Sequence, residues 1–457
     1  MHRTVAEHQD AVEQLLRRSW AGLPSSVMDD GGTAVPLSAA RGRVLARDLV
    51  AGVDLPPFAN SQMDGYALWA GPAAAAEHAP QLSPDGPEHH GRHHPESVDM
   101  WESTAYTVGE TIAAGAVPGP LAPGSAAPIM TGAMLPDGAN AVVPVERAVP
   151  AIFGDPGSTV ELPATAPGQF VRDRGSDVAR GSLAIAAGTV LNAAHLGLAA
   201  ALGCTELVVR RRVRVLLVTT GDEVLAPGDP AAASGLPAGK IFDANGALLC
   251  AALEESGVEV LHHHMVNDDP ATFLRLLEGQ VENAPGPDGA PEPGCDLVVT
   301  VGGISAGAFE VVRLALGSAG AQAQMDFLHV ALQPGGPQGL GTFRGVPVVA
   351  FPGNPVSSYI SVELFLRPAL SVLVGAPVPR RRVVATLEHA LTSPAGKHQV
   401  RRGIYSGPEF ESAPSVREVG GSSSHLLGSL AQADALIHIP AGSTELQAGA
   451  KVEVWLL

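Results

Sequence analysis

Val213-Arg-Val-Leu-Leu-Val-Thr-Thr-Gly-Asp-Glu223 is a short apolar run, interrupted only by Arg214, that ends in two hydroxyls, a glycine and two carboxylates. A run of this length bounded by a turn reads as a buried strand, and the carboxyl end of such a strand is where an open α/β sheet binds ligands. The pattern recurs downstream. A helix is expected over 247–256, closed by Gly257, then a strand over 258–261. A helix over 270–281 follows the cap Asn267-Asp-Asp-Pro270, and a strand over 297–300 runs into Val301-Gly-Gly-Ile-Ser305. Strands over 327–332 and 346–351 come next, the latter ending in Phe351-Pro-Gly-Asn-Pro-Val-Ser357 at a helix start. Strands alternating with helices at this spacing predict a parallel three-layer α/β domain over 206–373.

The flanks read differently. An amphipathic helix over 7–16 opens the chain, and a second helix is expected to carry Leu37, Leu45 and Val50. With 148–205, which holds a Gly188 turn and a helix that ends at Gly203 and leads into a strand at Val208-Val209, residues 1–53 are expected to form a helical and mixed linker domain. Short β segments at 105–108, 127–130 and 141–145 mark a β-rich insertion over 54–147. Those at 383–387, 400–403, 435–439 and 452–456 mark a C-terminal β-barrel or sandwich over 374–457.

Composition narrows the function. The 457 residues exceed one ordinary core, and 46 Asp and Glu against 28 Lys and Arg leave a net charge of -18, a field that repels nucleic acid and acidic membranes. No run approaches the roughly 20 uninterrupted apolar residues of a membrane span, and the start lacks the apolar core of a signal peptide, so a cytoplasmic protein is expected. Cys204, Cys250 and Cys295 are widely spaced, lie in or beside apolar runs and read as buried free thiols. The Ala-, Pro- and His-rich stretch 72–95 holds His89, His90, His93 and His94. Gly91 and the prolines oppose a helix that would gather these imidazoles, so the stretch reads as a solvated loop, and His262-His-His264 is weighed the same way.

The turns themselves suggest chemistry. Asp222 and Glu223 repel one another unless a divalent cation sits between them and a pyrophosphate. Gly302-Gly303-Ile-Ser305 is suited to cradle an oxyanion, or is a turn that only reverses the chain. Asp243 suits a substrate role together with Asn245, or an N-cap for the helix that follows. Asp64, in a Met-Asp-Gly turn, caps its own turn or faces a ligand. Thr131-Gly132-Ala133 offers a hydroxyl on a loosened turn. Pro334-Gly335-Gly-Pro337 and Pro352-Gly353-Asn354-Pro355 are expected to form the far wall of one crevice, with Ser357 at a helix start.

Taken together, Pro57-Phe-Ala-Asn-Ser-Gln-Met-Asp-Gly-Tyr-Ala67, Ile129-Met-Thr-Gly-Ala133, Arg174-Gly-Ser-Asp177, Thr220-Gly-Asp-Glu223, Asp243-Ala-Asn245, Gly302-Gly-Ile-Ser305, Pro352-Gly-Asn-Pro-Val-Ser357 and Gly421-Ser-Ser-Ser-His425 resemble the molybdopterin molybdenumtransferase family, which includes the gephyrin E domain. The resemblance implies insertion of molybdate into adenylylated molybdopterin, with AMP released. It also implies Mg²⁺ dependence, a homodimer whose active site is shared between subunits, and contact with a molybdopterin adenylyltransferase.

Carried over residue by residue, it makes Asp64, Thr131, Asp222, Asp243 and Glu310 catalytic candidates and Asp222, Glu223 and Asp243 metal candidates. Substrate-binding candidates are Ser61, Gly132, Asp177, Thr220, Gly221 and Asn245, then Gly302, Gly303, Ser305, Pro334, Gly335 and Pro352, and finally Gly353, Asn354, Pro355 and Ser357. The chain departs from the family pattern at Pro128, Asn140, Ser176, Ala308, Arg313, Gln333 and Gly336, the last two replacing lysines. These departures motivate an alternative: a catalytically weak homologue that binds pterin or a protein. Lys397, Arg401, Arg402 and Arg174 are candidates to restore the lost positive charge.

Overall fold

A computed structural model describes residues 3–21, 31–71, 103–266, 269–282, 284–285, 291–292, 294–304, 310–407 and 413–457. The His-rich stretch 72–95, Ser305 and Ala308 lie outside the described residues. The chain forms two compact units, one of Met1–Arg47, Ala186–Leu196 and Thr205–Leu457, the other of Asp48–Ile185 and Gly197–Cys204.

In the first unit, six strands form one sheet in the order Glu259–Val266, Arg214–Thr220, Leu297–Val301, Val346–Phe351, Pro337–Phe343, Ala323–His329. The first four are parallel, as the sequence predicts. Pro337–Phe343 runs antiparallel to both neighbours, so the sheet is mixed rather than wholly parallel. Gly339 and Gly341 conceal this strand in the sequence. A Cβ at Gly339 would meet Ala350 Cβ at 2.8 Å, and one at Gly341 would meet Met325 Sδ at 2.6 Å, so the lack of side chains lets the hairpin close. The expected strand over 327–332 divides into Ala323–His329 and Leu332–Gln333, and the second piece joins the C-terminal sheet. His262 to His264 lie within strand Glu259–Val266 rather than after it.

Alternate residues of the central strands enter opposite cores. Val215, Leu217, Val299 and Phe351 pack on one face, and Leu216, Val218, Val298 and Ala350 on the other, which gives three layers. Val12, Leu16 and Trp20 of helix Val5–Ala21, spaced four apart, complete the first core. Trp20 Nε1 donates to the Asp296 carbonyl at 2.9 Å, and Gln9 Nε2 to the Leu364 carbonyl at 2.8 Å. This helix therefore belongs to the α/β core rather than to a linker domain. The helical stretch Pro355–Val374 is long and apolar enough to cross a membrane, but most of it is buried inside the protein, as in a core helix.

The second helix expected over 37–50 does not form. A single turn, Leu37–Ala40, precedes Gly42, whose φ of +74° ends it. Leu45 then bridges Val209, and Leu49–Val50 is a two-residue strand.

The C-terminal strands close into a barrel. His398–Ser406, Ser415–Glu418, Arg382–Leu387, Lys451–Leu456 and Ala435–Ile439 pair in sequence, and Ala435–Ile439 pairs back to His398–Ser406. Within it, His438 is buried with its ring 4.4 Å from that of Trp455 and its Nδ1 3.1 Å from His398 Nε2. Burial, then the neighbouring His398 and Arg382, pushes the His438 imidazole down to about 3. The unfolded chain, with an ordinary imidazole near 6.5, binds more protons between these values, so stability is present above pH 6.5 and is lost as pH falls towards 3. At pH 5 the loss relative to pH 7 is about 2 kcal/mol. Denaturant unfolding followed by tryptophan fluorescence at the two pH values tests this, since His438→Leu is expected to lose about 2 kcal/mol less on acidification. An identical pH dependence in the variant would remove His438 as the cause.

The second unit centres on a five-stranded sheet in the order Ala141–Pro144, Gly65–Leu68, Ser125–Ile129, Ser103–Val108, Thr159–Pro163. The last strand lies beyond the boundary at 147 read from sequence. Tyr66 is fully buried, its hydroxyl donating to the Ile152 carbonyl at 2.8 Å and accepting from Gly154 N–H at 2.7 Å. Asn140 accepts from Ala70 N–H at 2.7 Å and donates to the Ala70 carbonyl at 2.9 Å, so this departure from the family pattern serves as a clamp between strands. The three cysteines are free thiols, but Cys204 and Cys250 are only partly buried, whereas Cys295 is buried and its thiol pushed up to about 12 by burial and the adjoining Asp296.

Candidate active site

The carboxyl ends of strands Arg214–Thr220, Leu297–Val301 and Val346–Phe351 open into a single cavity of about 900 Å³. Thr220, Gly221 and Glu223 line it from the first turn, Asp243 and Asn245 from the start of helix Ala244–Glu255, Gly302 and Gly303 from the glycine turn, and Glu310 from the start of helix Val311–Ser318. Pro334, Gly335, Pro352, Gly353, Asn354, Pro355 and Ser357 complete the α/β side. Asp222 sits exposed on the same turn but outside the lining, and its carbonyl accepts from Lys240 Nζ. Ser61, Asp64, Thr131, Gly132 and Asp177 belong to the second unit.

Two of the candidates hold the cavity in shape. Asp243 is 5% exposed; Oδ1 accepts from Gly246 N–H at 2.9 Å and Oδ2 from Thr219 Oγ1 at 2.9 Å. It is thus an N-cap that also ties the helix to the end of the central strand. Asn245 donates from Nδ2 to the Gly353 carbonyl at 2.6 Å and accepts at Oδ1 from Ser358 Oγ at 3.0 Å, fixing the Pro352–Pro355 turn to the same helix start.

Gly302 has φ +92°, and a Cβ there would lie 2.9 Å from Thr220 Oγ1 and 3.0 Å from the Thr220 carbonyl oxygen. The two strand-end turns therefore touch through a position that only glycine fits.

The expected metal set of Asp222, Glu223 and Asp243 does not converge. Among the described residues no three His, Cys, Asp or Glu side chains gather as a cage. Asp243 is spent on Thr219 and Gly246, whereas Glu223 and Glu310 are the other acidic residues that line the cavity. Mg²⁺ is commonly held by one or two carboxylates together with substrate phosphates and water. The donor set fits a cation of that shared kind.

Positive charge is sparse in the cavity. Among its described lining residues, Lys397 is the sole lysine or arginine, beside the imidazoles of His329 and His425. The other candidate replacements are committed elsewhere. Arg401 pairs with Glu418 and donates to Gln399 Oε1 at 2.7 Å. Arg402, 1% exposed, donates to the Ser423 carbonyl at 3.1 Å and to the Gly421 carbonyl, supporting the serine loop from beneath. Arg174 pairs with Asp54 at 2.6 Å in the second unit. Gln333 lines the cavity while its Oε1 accepts from Gln399 Nε2 at 2.6 Å, and Arg313 lies over the Phe327 ring.

In the second unit, Asp64 Oδ1 accepts from Thr131 N–H at 2.7 Å and from Thr131 Oγ1 at 2.8 Å, so these two candidates meet. Those bonds, the backbone one first, hold the Asp64 carboxyl below its ordinary value. Ser61 is fully buried, with its hydroxyl donating to the Met63 carbonyl and accepting from Met63 N–H at 3.2 Å, and its carbonyl accepts from Gly132 N–H at 2.8 Å. Ser61 therefore shapes the loop from within. Asp177 is exposed.

The sequence reading gave no site role to Ile241 and Phe242, which line the cavity while 52% and 46% exposed, nor to His329 or the Ser422–His425 loop. An exposed Ile-Phe pair directly before a helix cap, and a serine triplet behind two glycines, were the available signals.

Three family models match the chain in succession: the MoeA N-terminal region (domain I and II) over residues 3–203, a probable molybdopterin binding domain over 216–372, and the MoeA C-terminal region (domain IV) over 384–457. Molybdopterin molybdenumtransferase 2 of Mycobacterium tuberculosis is 39% identical, with 99% of each chain covered. Molybdopterin molybdenumtransferase 1 of the same organism is 32% identical, covering 93% of this chain and 94% of its own. The crystal structure of the molybdopterin biosynthesis MoeA protein from Pyrococcus horikoshii OT3 has the same fold, with a TM-score of 0.73, 24% identity and full coverage of both chains.

Proposed function

The chain belongs to the molybdopterin molybdenumtransferase family, and from that premise we propose that it inserts molybdate into adenylylated molybdopterin, yielding molybdenum cofactor and AMP. One observation carries the reading: the polar turns of three parallel strands and a loop of the C-terminal barrel line one cavity, with a volume suited to a cofactor-sized ligand. The exposed faces of Ile241 and Phe242 suit a flat ring, and the carboxylates and Lys397 suit the charged parts of the same ligand.

Cleaving a phosphoanhydride demands that negative charge be neutralised as it develops. Glu223 and Glu310 would hold a Mg²⁺ ion that arrives with the pyrophosphate and supplies that neutralisation. Asp243 and Asn245 act as positioning residues, keeping the strand-end turn, the helix start and the Pro352–Pro355 turn in register. Lys397 and the Ser422–Ser424 loop supply donors from the opposite wall. The acids act as ligands and water-orienting groups, not as nucleophiles. The working form is a cytoplasmic homodimer that receives its substrate from a molybdopterin adenylyltransferase, with Asp64 and Thr131 of one subunit serving the cavity of the other.

The scarcity of positive side chains in the cavity favours a second reading, a weak homologue that binds pterin or a protein without turnover. Release of AMP from adenylylated molybdopterin on adding molybdate and Mg²⁺ separates the two. The transferase reading expects turnover, and binding without AMP release sinks it. The shared site expects a mixture of inactive Asp64→Ala and Glu223→Ala proteins to regain activity once subunits exchange, and an inactive exchanged mixture would overturn it.

A further inference from the structure

Strand Ala323–His329 ends at the cavity, and its last residue stands in register with Pro337 on the neighbouring strand. The backbone around His329 is held from two sides. Its carbonyl accepts from Arg3 N–H at 3.3 Å, and the next residue, Val330, donates its N–H to the Gly336 carbonyl at 2.7 Å. The imidazole lies across residue 336. A Cβ placed on Gly336 would fall inside van der Waals contact with Nε2 and 2.7 Å from Cε1. Glycine at 336 thus leaves the space in which the nitrogen-bearing edge of the ring sits, and it does so at a backbone angle open to any residue.

The surrounding wall has little else to offer an anion. Gln333, Pro334, Gly335, Gly336 and Pro337 line it, Gln333 is the one with a polar side chain, and that side chain accepts a hydrogen bond from Gln399. The same cavity carries three carboxylates, Glu223, Asp243 and Glu310. An oxyanion entering it is drawn to whichever walls bear donors. Those are the Lys397 and Ser422–His425 side and, on the proline-glycine wall, His329.

We propose that His329 is the oxyanion-contacting, specificity-determining residue of the Pro334–Pro337 wall, its ring seated over Gly336 and donating a hydrogen bond to a tetrahedral oxyanion. The proposal rests on the transferase reading for the identity of the ligands, and the chemistry is shared by molybdate and by a substrate phosphate.

Calorimetric titration of the full-length protein with molybdate alone, and separately with AMP, distinguishes the two sources and needs no turnover. His329→Ala is expected to weaken one of these ligands about tenfold, the effect of one lost hydrogen bond to a charged group, while His329→Gln retains most of the affinity. In turnover assays the same change raises KM for molybdate, or for adenylylated molybdopterin where AMP is the ligand weakened, with kcat within about twofold. Gly336→Ala, which displaces the ring, is expected to reproduce the defect in the wild-type background and to add nothing in a His329→Ala background. Thermal melts of each variant verify that it is folded. Unchanged affinity for both ligands in folded His329→Ala protein, or full additivity of the two substitutions, overturns the proposal whether or not the enzyme releases AMP. Absence of AMP release with the binding pattern intact would instead sink the transferase reading and leave the anion contact standing.

Discussion

Gly302→Ala is expected to lower the rate of AMP release by at least about 10²-fold while the protein still folds. At φ +92° an alanine is strained, and its Cβ would press on both the hydroxyl and the carbonyl of Thr220 at 2.9 and 3.0 Å. Such backbone strain amounts to about 1–3 kcal/mol, which a domain of this size survives. The damage lies in geometry. Relieving the contact moves either the glycine turn or the Thr220 turn, which face the same cavity, and displacements approaching 1 Å in a reacting site cost on the order of 10²-fold. Gly345→Ala is the matched control, because that glycine has φ +84° but open space around its Cβ and lies outside the cavity lining. It is expected to show the strain in a melting curve and no loss of rate. Equal effects of the two substitutions on rate would show that strain, not the contact with Thr220, was responsible.

Glu363→Ala is expected to destabilise the protein by about 3–5 kcal/mol. Glu363 is 1% exposed within the long core helix, and Arg380 grips its carboxylate with two bonds of 2.8 and 3.0 Å. Arg367 lies 3.9 Å away, with its NH1 3.3 Å from Ser256 Oγ. Removing the carboxylate leaves two guanidinium groups largely buried beside one another. Glu255, 3.8 Å from Arg380 but with its side chain 65% exposed, is the control within the same cluster, and Glu255→Ala is expected to change stability by no more than about 0.5 kcal/mol. Chemical denaturation of both variants decides it. A loss below about 1 kcal/mol for Glu363→Ala would mean that the arginines find other partners.

The central strands were legible because a strand buried on both faces leaves an unbroken apolar run, and Val215–Val218 and Val346–Phe351 are such runs. Pro337–Phe343 was not. Its pairing depends on Gly339 and Gly341 having no side chains, a property that in sequence reads as a turn. The site was legible as a set of turns, since Gly, Pro, Asn and Asp at strand ends carry local signals. The duties of individual side chains were not. Asp243 is occupied by Thr219, 24 residues away, and Arg401 and Arg402 are drawn away from the cavity by Glu418 and by the carbonyls of the serine loop. Such choices depend on tertiary neighbours, which a local pattern does not specify.

The docking of helix Val5–Ala21 on a core assembled from residues far downstream also sets a timetable. Gln9 meets Leu364 across 355 residues of chain, which a ribosome adds at about 5–20 residues per second. For roughly 20–70 seconds of synthesis the stripe of Val12, Leu16 and Trp20 has no permanent partner. During that interval the helix is bait for any factor that shields apolar surface, and the α/β layer can seal only after the helix has been released to it.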